Sequence, residues 1–183
     1  RTVNSILSQT YPNYCLYLID HGSTDGTKEY ASELVSHHSQ VLYKRIEVNG
    51  GPQAVFTLWE DFCQSVDTEI VTYVMDDDWL YPQHLEKCVA LLQKYPWLGL
   101  VTTGIDIARL DGTIYNQHGP WFPIIMNPQL ELQRFASHHP GGIGMLCRIG
   151  VLKKLGPFDN SGRAKRNYGA NDSLIHIKCL ALY

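Results

Sequence analysis

The sequence predicts an α/β fold in which a mostly parallel central sheet carries helices on both faces. Short apolar runs typical of strands alternate with amphipathic helical stripes through the first half of the chain, and this alternation is typical of parallel sheets. Glycine and small polar residues separate most of these runs, as expected for strand-to-helix loops. Acidic residues directly follow two of the predicted strands, at the end where open α/β sheets bind ligands.

The first predicted elements are a helix, a strand, a second helix and a second strand. Apolar residues at helical spacing predict a helix at the start of the chain, with Val3, Ile6 and Leu7 on one face. A strand fits residues 15–19 and ends at Asp20, and residues 21–27 have the turn and cap residues of a strand-to-helix loop. The next helix is expected to have Tyr30, Ala31 and Leu34 on one face. A second strand fits residues 41–46.

Two more helices and a buried strand are predicted next. Residues 49–52 (NGGP) break the chain, and the following helix has an apolar stripe made of Val55, Leu58, Trp59 and Phe62. A buried strand fits residues 69–75 (EIVTYVM). Pro82 suits the first turn of a helix, which is expected to bury Leu85, Cys88, Val89 and Leu92.

A strand and a hairpin complete the part of the chain with a regular pattern. The strand fits residues 98–103. Asp111-Gly112 is a favoured hairpin turn and predicts pairing between residues 105–108 and 113–115. The second half of the chain is less regular.

Length and composition exclude several function classes. A chain of 183 residues is expected to form one domain, and no apolar run approaches the roughly 18 residues of a membrane span. The net charge of −3 provides no broad basic surface, so nucleic acid is not an expected partner. The five cysteines are scattered and show no metal-ligand spacing, which indicates reduced thiols in a reducing compartment.

Three consecutive carboxylates, Asp76, Asp77 and Asp78, follow the predicted strand at residues 69–75. Hard divalent cations prefer oxygen ligands and often bind through one or two carboxylates together with substrate phosphates. The triplet therefore indicates a metal site for a phosphorylated ligand. An acidic turn that caps the helix near Pro82 explains the same residues, and the triplet by itself leaves both interpretations open.

Two segments in the first part of the chain resemble a known family. Residues 5–14 (SILSQTYPNY) and residues 18–27 (LIDHGSTDGT) are similar to the N-terminal signature of family-2 glycosyltransferases, which have the GT-A fold. The spacing from Asp76 to Pro82 resembles the metal-binding aspartate motif of that family. Residues 155–159 (LGPFD), followed by Asn171-Asp172, resemble its acceptor-side segment.

The resemblance implies a Rossmann-like GT-A domain over residues 1–183. Residues 1–104 would form the nucleotide-sugar-binding half and residues 105–183 the acceptor-binding half. Such enzymes begin with a central strand that has no counterpart here. We therefore expect the chain to be a segment of a longer polypeptide whose upstream residues supply that strand.

The resemblance also implies an inverting transfer of a sugar from a nucleotide diphosphate to an acceptor hydroxyl. A UDP-sugar is the main candidate for the donor. The cofactor would be Mn²⁺ or Mg²⁺, with Asp77 as its main ligand. Asp76 would contact the ribose or assist the cation. Asp78 is either a further metal ligand or the cap of the next helix.

Three residues after the first two strands are candidates for nucleotide binding by the same resemblance. Asp20 would contact the base or ribose, and Gly51 lies in a glycine-rich turn similar to the family's nucleotide-side loop. Members usually have a second acid where this chain has His21, which could accept a hydrogen bond from the base or stack on it. An arginine common in the family is replaced in the region of Phe56 and Thr57.

The acceptor side is assigned to the second half of the chain. Asp172 is the candidate general base, which must reach the acceptor hydroxyl, and Asn171 precedes it where the family often has Glu. His138 and His139 are candidate acceptor contacts. Arg148 matches a basic position common in the family, and a structural role explains it equally well.

The expected partners are a nucleotide-diphospho-sugar donor and a hydroxyl acceptor on a glycan, a lipid-linked molecule or another compound, within polysaccharide biosynthesis. The expected location is the cytoplasm or the cytoplasmic face of a membrane, with peripheral attachment through missing segments. Two alternatives stay open. One is a non-catalytic glycosyltransferase-like module that binds sugar or nucleotide, and the other is a sugar-nucleotide nucleotidyltransferase.

Overall fold

The computed structural model describes residues 1–118 and 144–155. Five helices lie in these ranges: α1 (Thr2–Leu7), α2 (Thr27–His37), α3 (Pro52–Ser65), α4 (His84–Lys94) and α5 (Ile149–Leu155). The seven strands are β1 (Leu16–His21), β2 (Val41–Ile46), β3 (Ile70–Val71), β4 (Leu100–Val101), β5 (Ile105–Ala108), β6 (Ile114–His118) and β7 (Leu146–Arg148). The order confirms the predicted α/β alternation in the first half of the chain.

The strands of the described ranges form three sheets, and among the pairings of these strands only that of β1 with β2 is parallel. β1 and β2 pair in parallel, from Leu16 opposite Val41 to His21 opposite Ile46. β7 lies between β3 and β4 and is antiparallel to both. β5 and β6 form an antiparallel hairpin, as predicted.

The expectation of a mostly parallel sheet therefore holds only in part. β3 and β4 run in the same direction, as a β-α-β crossover through α4 requires, but β7 enters between them from the second half of the chain. The alternation of strands and helices in the first half of the chain could not predict this insertion, because β7 comes from the second half. No strand within the described ranges joins β1 to β3, and the upstream strand expected from the resemblance stays a prediction.

Helices cover both faces of the sheet formed by β3, β7 and β4. Side chains of neighbouring strand residues point to opposite faces, so Cys147 of β7 contacts one cluster and Leu146 the other. The first cluster packs α3 and α5 on the sheet and includes Cys63, Val71, Met145, Cys147, Ile149, Val151 and Leu152. The second packs α4 on the opposite face and includes Leu80, Leu85, Cys88, Val89, Leu92, Val101 and Leu146.

The burial and bounds of single helices and strands can be compared with the predictions from the sequence. All four residues predicted for the inner face of α4 are buried, and β2 has the predicted bounds. Ala31 and Leu34 of α2 are buried, whereas Tyr30, predicted on the same face of the helix, is 44% exposed.

The strand predicted over residues 69–75 is much shorter than expected. β3 ends at Val71, because the three-residue strand β7 pairs only with Ile70 and Val71. Residues 72–75 continue without assigned secondary structure, and the acidic triplet follows them.

No helix in the described part of the chain is long and apolar enough to cross a membrane. Cys63, Cys88 and Cys147 are buried, and Cys15 is exposed. The expectation of reduced cysteines stays a prediction.

Candidate functional site

Asp20 lies near the carboxyl end of β1 with a fully buried side chain. Its Oδ1 accepts a hydrogen bond of 2.9 Å from the Ser23 amide, and its Oδ2 accepts one of 2.8 Å from the Tyr43 hydroxyl. The Arg45 guanidinium forms an ion pair with the same Oδ2. Burial alone would raise the pKa of Asp20, but the bonds from Ser23, Tyr43 and Arg45 outweigh it and hold the pKa well below its usual range.

Arg45 is a site residue that the sequence prediction missed. It stands opposite Asp20 in the parallel pairing of β1 and β2. Its Nη2 donates to the Ser23 carbonyl oxygen at 3.1 Å, and its Nε contacts Glu47 at 3.2 Å. The available signal was a pair of basic residues, Lys44 and Arg45, in an otherwise apolar strand.

His21 joins the loop after β1 to the loop after β2. Its Nε2 accepts a hydrogen bond of 3.0 Å from the backbone amide of Gly50. The Gly51 amide donates to Asn49 Oδ1 at 2.8 Å. Gly51 has φ +72° and ψ −176°, a backbone conformation available essentially to glycine alone.

The acidic triplet lies in the connection between β3 and α4. Asp76 and Asp77 are exposed, and Asp78 is half-buried. Burial raises the pKa of Asp78, and the charges of Asp77 and Asp76 raise it further. The N-cap of α4 is Gln83 rather than Asp78, so the capping role considered for Asp78 was wrong.

α1 anchors the connection that carries the triplet. The Thr2 hydroxyl donates to the Asp76 carbonyl oxygen at 2.7 Å, and Ser5 Oγ accepts from the Leu80 amide at 3.0 Å. The buried side chain of Gln9 donates to the Tyr81 carbonyl oxygen and accepts from the Leu85 amide. These anchoring contacts could not be predicted from the sequence, because side-chain to backbone contacts across such separations leave no periodic pattern.

The acidic triplet does not form a closed cation site with other side chains of the described residues. Within residues 1–118 and 144–155, no three His, Cys, Asp or Glu side chains are grouped so that they could hold a metal ion. No Lys or Arg of these ranges forms an ion pair with the triplet, although three adjacent carboxylates repel one another. Mg²⁺ and Mn²⁺ suit such a donor set, because they also take water and substrate phosphate oxygens as ligands.

The predicted nucleotide-side residues fall into two groups in the structure. Asp20 and His21 at the carboxyl end of β1 come together with Gly51 of the loop after β2, and Asp76 and Asp77 lie on the connection after β3. No hydrogen bond or ion pair links the two groups within the part of the chain described. The acceptor-side candidates His138, His139, Asn171 and Asp172 lie outside the described residues.

Arg148 makes structural contacts at the end of β7. Its guanidinium donates to the carbonyl oxygens of Leu92 and Leu98 and forms an ion pair with Glu69. Of the two interpretations of Arg148, these contacts favour the structural one.

Comparison with known protein families decides the identity of the domain. The family model described as "Glycosyl transferase family 2" matches residues 1–156. The chain belongs to glycosyl transferase family 2. The matched region contains β1, the loops after β1 and β2, and the acidic triplet, whereas Asn171 and Asp172 lie beyond it.

Two curated proteins are similar to this glycosyl transferase family 2 chain. "Putative glycosyltransferase EpsE" of Bacillus subtilis (strain 168) is 35% identical over 105 residues, which cover 57% of this chain and 37% of that protein. "Uncharacterized glycosyltransferase alr2836" of Nostoc sp. (strain PCC 7120) is 25% identical over 161 residues, which cover 87% of this chain and 49% of that protein. The chain spans less than half the length of these relatives.

Proposed function

We propose that this chain is the donor-binding and catalytic part of an inverting, metal-dependent glycosyltransferase. It would move a sugar from a nucleotide diphosphate to an acceptor hydroxyl, and a UDP-sugar is the main candidate for the donor. Membership of glycosyl transferase family 2 over residues 1–156 is the observation that carries the proposal. Residues 1–104 would bind the donor and residues 105–183 the acceptor, which belongs to a glycan, a lipid-linked molecule or another hydroxyl compound.

On the donor side, the loops after β1 and β2 bind the nucleotide. Asp20, His21 and Gly51 shape this part of the site, and Asp76 contacts the sugar nucleotide. Asp77 and Asp78 would hold Mn²⁺ or Mg²⁺, which neutralises the negative charge of the diphosphate when bound. The exposure of Asp76 and Asp77, and the absence of an ion pair to them within the described ranges, support this assignment.

On the acceptor side, Asp172 takes the proton of the acceptor hydroxyl. The hydroxyl oxygen forms a bond to the anomeric carbon while the bond from that carbon to the diphosphate oxygen breaks, which inverts the configuration. The nucleoside diphosphate leaves with the bonding electron pair. His138, His139 and Asn171 contact the acceptor.

Calorimetric titration of the full-length protein with UDP-, GDP- and dTDP-sugars, with and without Mn²⁺, tests donor binding. We expect Mn²⁺-dependent binding, and we expect Asp77→Asn to weaken it at least about 10-fold because a charged oxygen ligand is lost. Asp67→Asn is the matched control, because it removes an exposed carboxylate from a different loop. Binding that is independent of Mn²⁺, or no binding at all, would contradict the proposal.

Asp172→Asn tests the catalytic part separately. Loss of a general base is expected to slow transfer by roughly 10²- to 10⁴-fold, while donor affinity stays unchanged. Donor binding by the wild-type protein without transfer to any hydroxyl acceptor would instead support a non-catalytic binding module.

A further inference from the structure

The loops after β1 and β2 meet at His21, and the direction of the hydrogen bond there has a chemical consequence. The Gly50 amide is a donor, so His21 Nε2 must act as the acceptor at 3.0 Å. A neutral imidazole has one acceptor nitrogen and one N–H donor. The acceptor nitrogen of His21 is therefore engaged by the protein itself, and of the two ring nitrogens Nδ1 can offer a ligand an N–H but no acceptor.

The chain is closely packed around this contact, both between the two loops and against the first turn of α3. A Cβ atom added to Gly50 would lie 2.7 Å from Ala54 Cβ, and one added to Gly22 would lie 3.0 Å from the Asn49 amide nitrogen. Both distances are shorter than ordinary contacts between real side chains. The Gly51 amide is also bonded, to the side chain of Asn49. We call residues 49–51 the glycine loop.

The residues beside His21 are fixed by the buried ion pair. Asp20 accepts bonds from the Ser23 amide and Tyr43 and pairs with Arg45, and Arg45 also donates to the Ser23 carbonyl oxygen. His21 lies between two residues of this network, so its backbone is held on both sides. The imidazole therefore extends from a rigid strand end to the backbone of the glycine loop.

We propose that His21 is a positioning residue for the donor nucleotide. It fixes the glycine loop through the Gly50 amide, and it does not recognise the nucleobase by accepting an N–H from it. This inference rests on the proposed function, in which the glycine loop lies at the nucleotide. It revises the expectation that His21 offers its acceptor nitrogen to the base.

Affinity measurements with several bases separate positioning from direct recognition. His21→Ala removes one hydrogen bond to the glycine loop, so Mn²⁺-dependent affinity for UDP, GDP and dTDP should fall about 2- to 10-fold. The factor should be the same for all three, because the loop contact does not depend on the base. A loss confined to one base would overturn the proposal.

Two further variants control this experiment. Gln at position 21 places a carbonyl oxygen near the site of Nε2, so His21→Gln is expected to restore the affinity that His21→Ala loses. His37→Ala removes an exposed imidazole from α2 and should leave all three affinities unchanged. Unfolding curves that match wild type show that each variant is folded.

Amide hydrogen exchange at Gly50, measured by NMR without nucleotide, tests the contact itself. Exchange should be about 2- to 10-fold faster in His21→Ala than in wild type, since the amide loses its acceptor, and slow again in His21→Gln. Equal exchange in His21→Ala and wild type would overturn the inference. Failure of wild type to bind any nucleotide would overturn the proposed function instead, and the exchange result would still show whether His21 fixes the loop.

Discussion

At the scale of single residues, Asp20 has a structural task in addition to any contact with a ligand. Both of its carboxylate oxygens are engaged by groups from the adjacent loop and strand. The sequence located Asp20 at a strand end, because an apolar run stops there. It did not reveal Tyr43 or Arg45 as partners, since that requires the register between two strands.

The lowered pKa of Asp20 leads to a prediction about how the free energy of unfolding changes at acid pH. Its pKa is lowered by folding, so its contribution is fully present above the ordinary pKa of about 3.9 and is lost as pH falls through the lower folded pKa. Asp20→Asn leaves Arg45 without its buried partner and should lower the free energy of unfolding at pH 7 by about 3–5 kcal/mol.

Urea unfolding of wild type and Asp20→Asn at pH 7 and near pH 2 measures this. The difference between the two proteins should shrink at the lower pH, because the Asp20 carboxylate of the unfolded chain is then protonated while that of the folded protein is still mostly ionised. Asp61→Asn, at an exposed carboxylate, should have a small effect at both values. A difference between wild type and Asp20→Asn that does not change with pH would contradict this account.

At the scale of elements, the helical patterns were more informative than the strand patterns. The spacing of Leu85, Cys88, Val89 and Leu92 predicted the buried face of α4 correctly. The length of β3 could not be predicted, because it depends on how far β7 pairs with it. β7 itself was not predicted, since three residues are too few to show a periodic pattern.

The contacts of Arg148 lead to a prediction about how β7 is held to α4 and to the segment before β4. It binds the Leu92 carbonyl oxygen in the last turn of α4, where a positive charge is favourable, and the Leu98 carbonyl oxygen before β4. Arg148→Met removes these bonds and should lower the free energy of unfolding by about 2–3 kcal/mol.

Chemical denaturation of Arg148→Met beside Lys154→Met tests this. Lys154 is an exposed cation on α5, so its replacement should change stability little. Equal stability of the two variants would show that the contacts of Arg148 contribute nothing measurable.

At the scale of the whole molecule, helices on both faces of a sheet were predicted and confirmed, and the strand directions were predicted only in part. The candidate site was likewise predicted only in part. Strand ends located Asp20 and His21, whereas the loop contacts between His21 and Gly50 depend on three-dimensional packing.

The two cores of the molecule also predict the reactivity of its thiols. Burial raises the pKa of Cys63 to about 12 and that of Cys88 to about 11, and Cys147 is also buried. Because the thiolate is the reactive form, these three should react with iodoacetamide far more slowly than the exposed Cys15 in the native protein. Mass spectrometry of peptides after timed alkylation measures each thiol.

Addition of denaturant before alkylation is the control, and it should bring all described thiols to similar rates. Rapid native labelling of Cys88 or Cys147 would contradict the packing of α4 and β7.

The position of β7 between β3 and β4 has a consequence for the order of folding. β1 and β2 pair residues that are near in sequence, such as Leu16 and Val41, whereas Val71 of β3 pairs with Cys147 across a loop roughly three times as long. Longer loops cost more entropy to close and slow the pairing of strands. On a ribosome, β3 and β4 emerge long before the strand that joins them, so their edges stay open until residue 148 has left the exit tunnel.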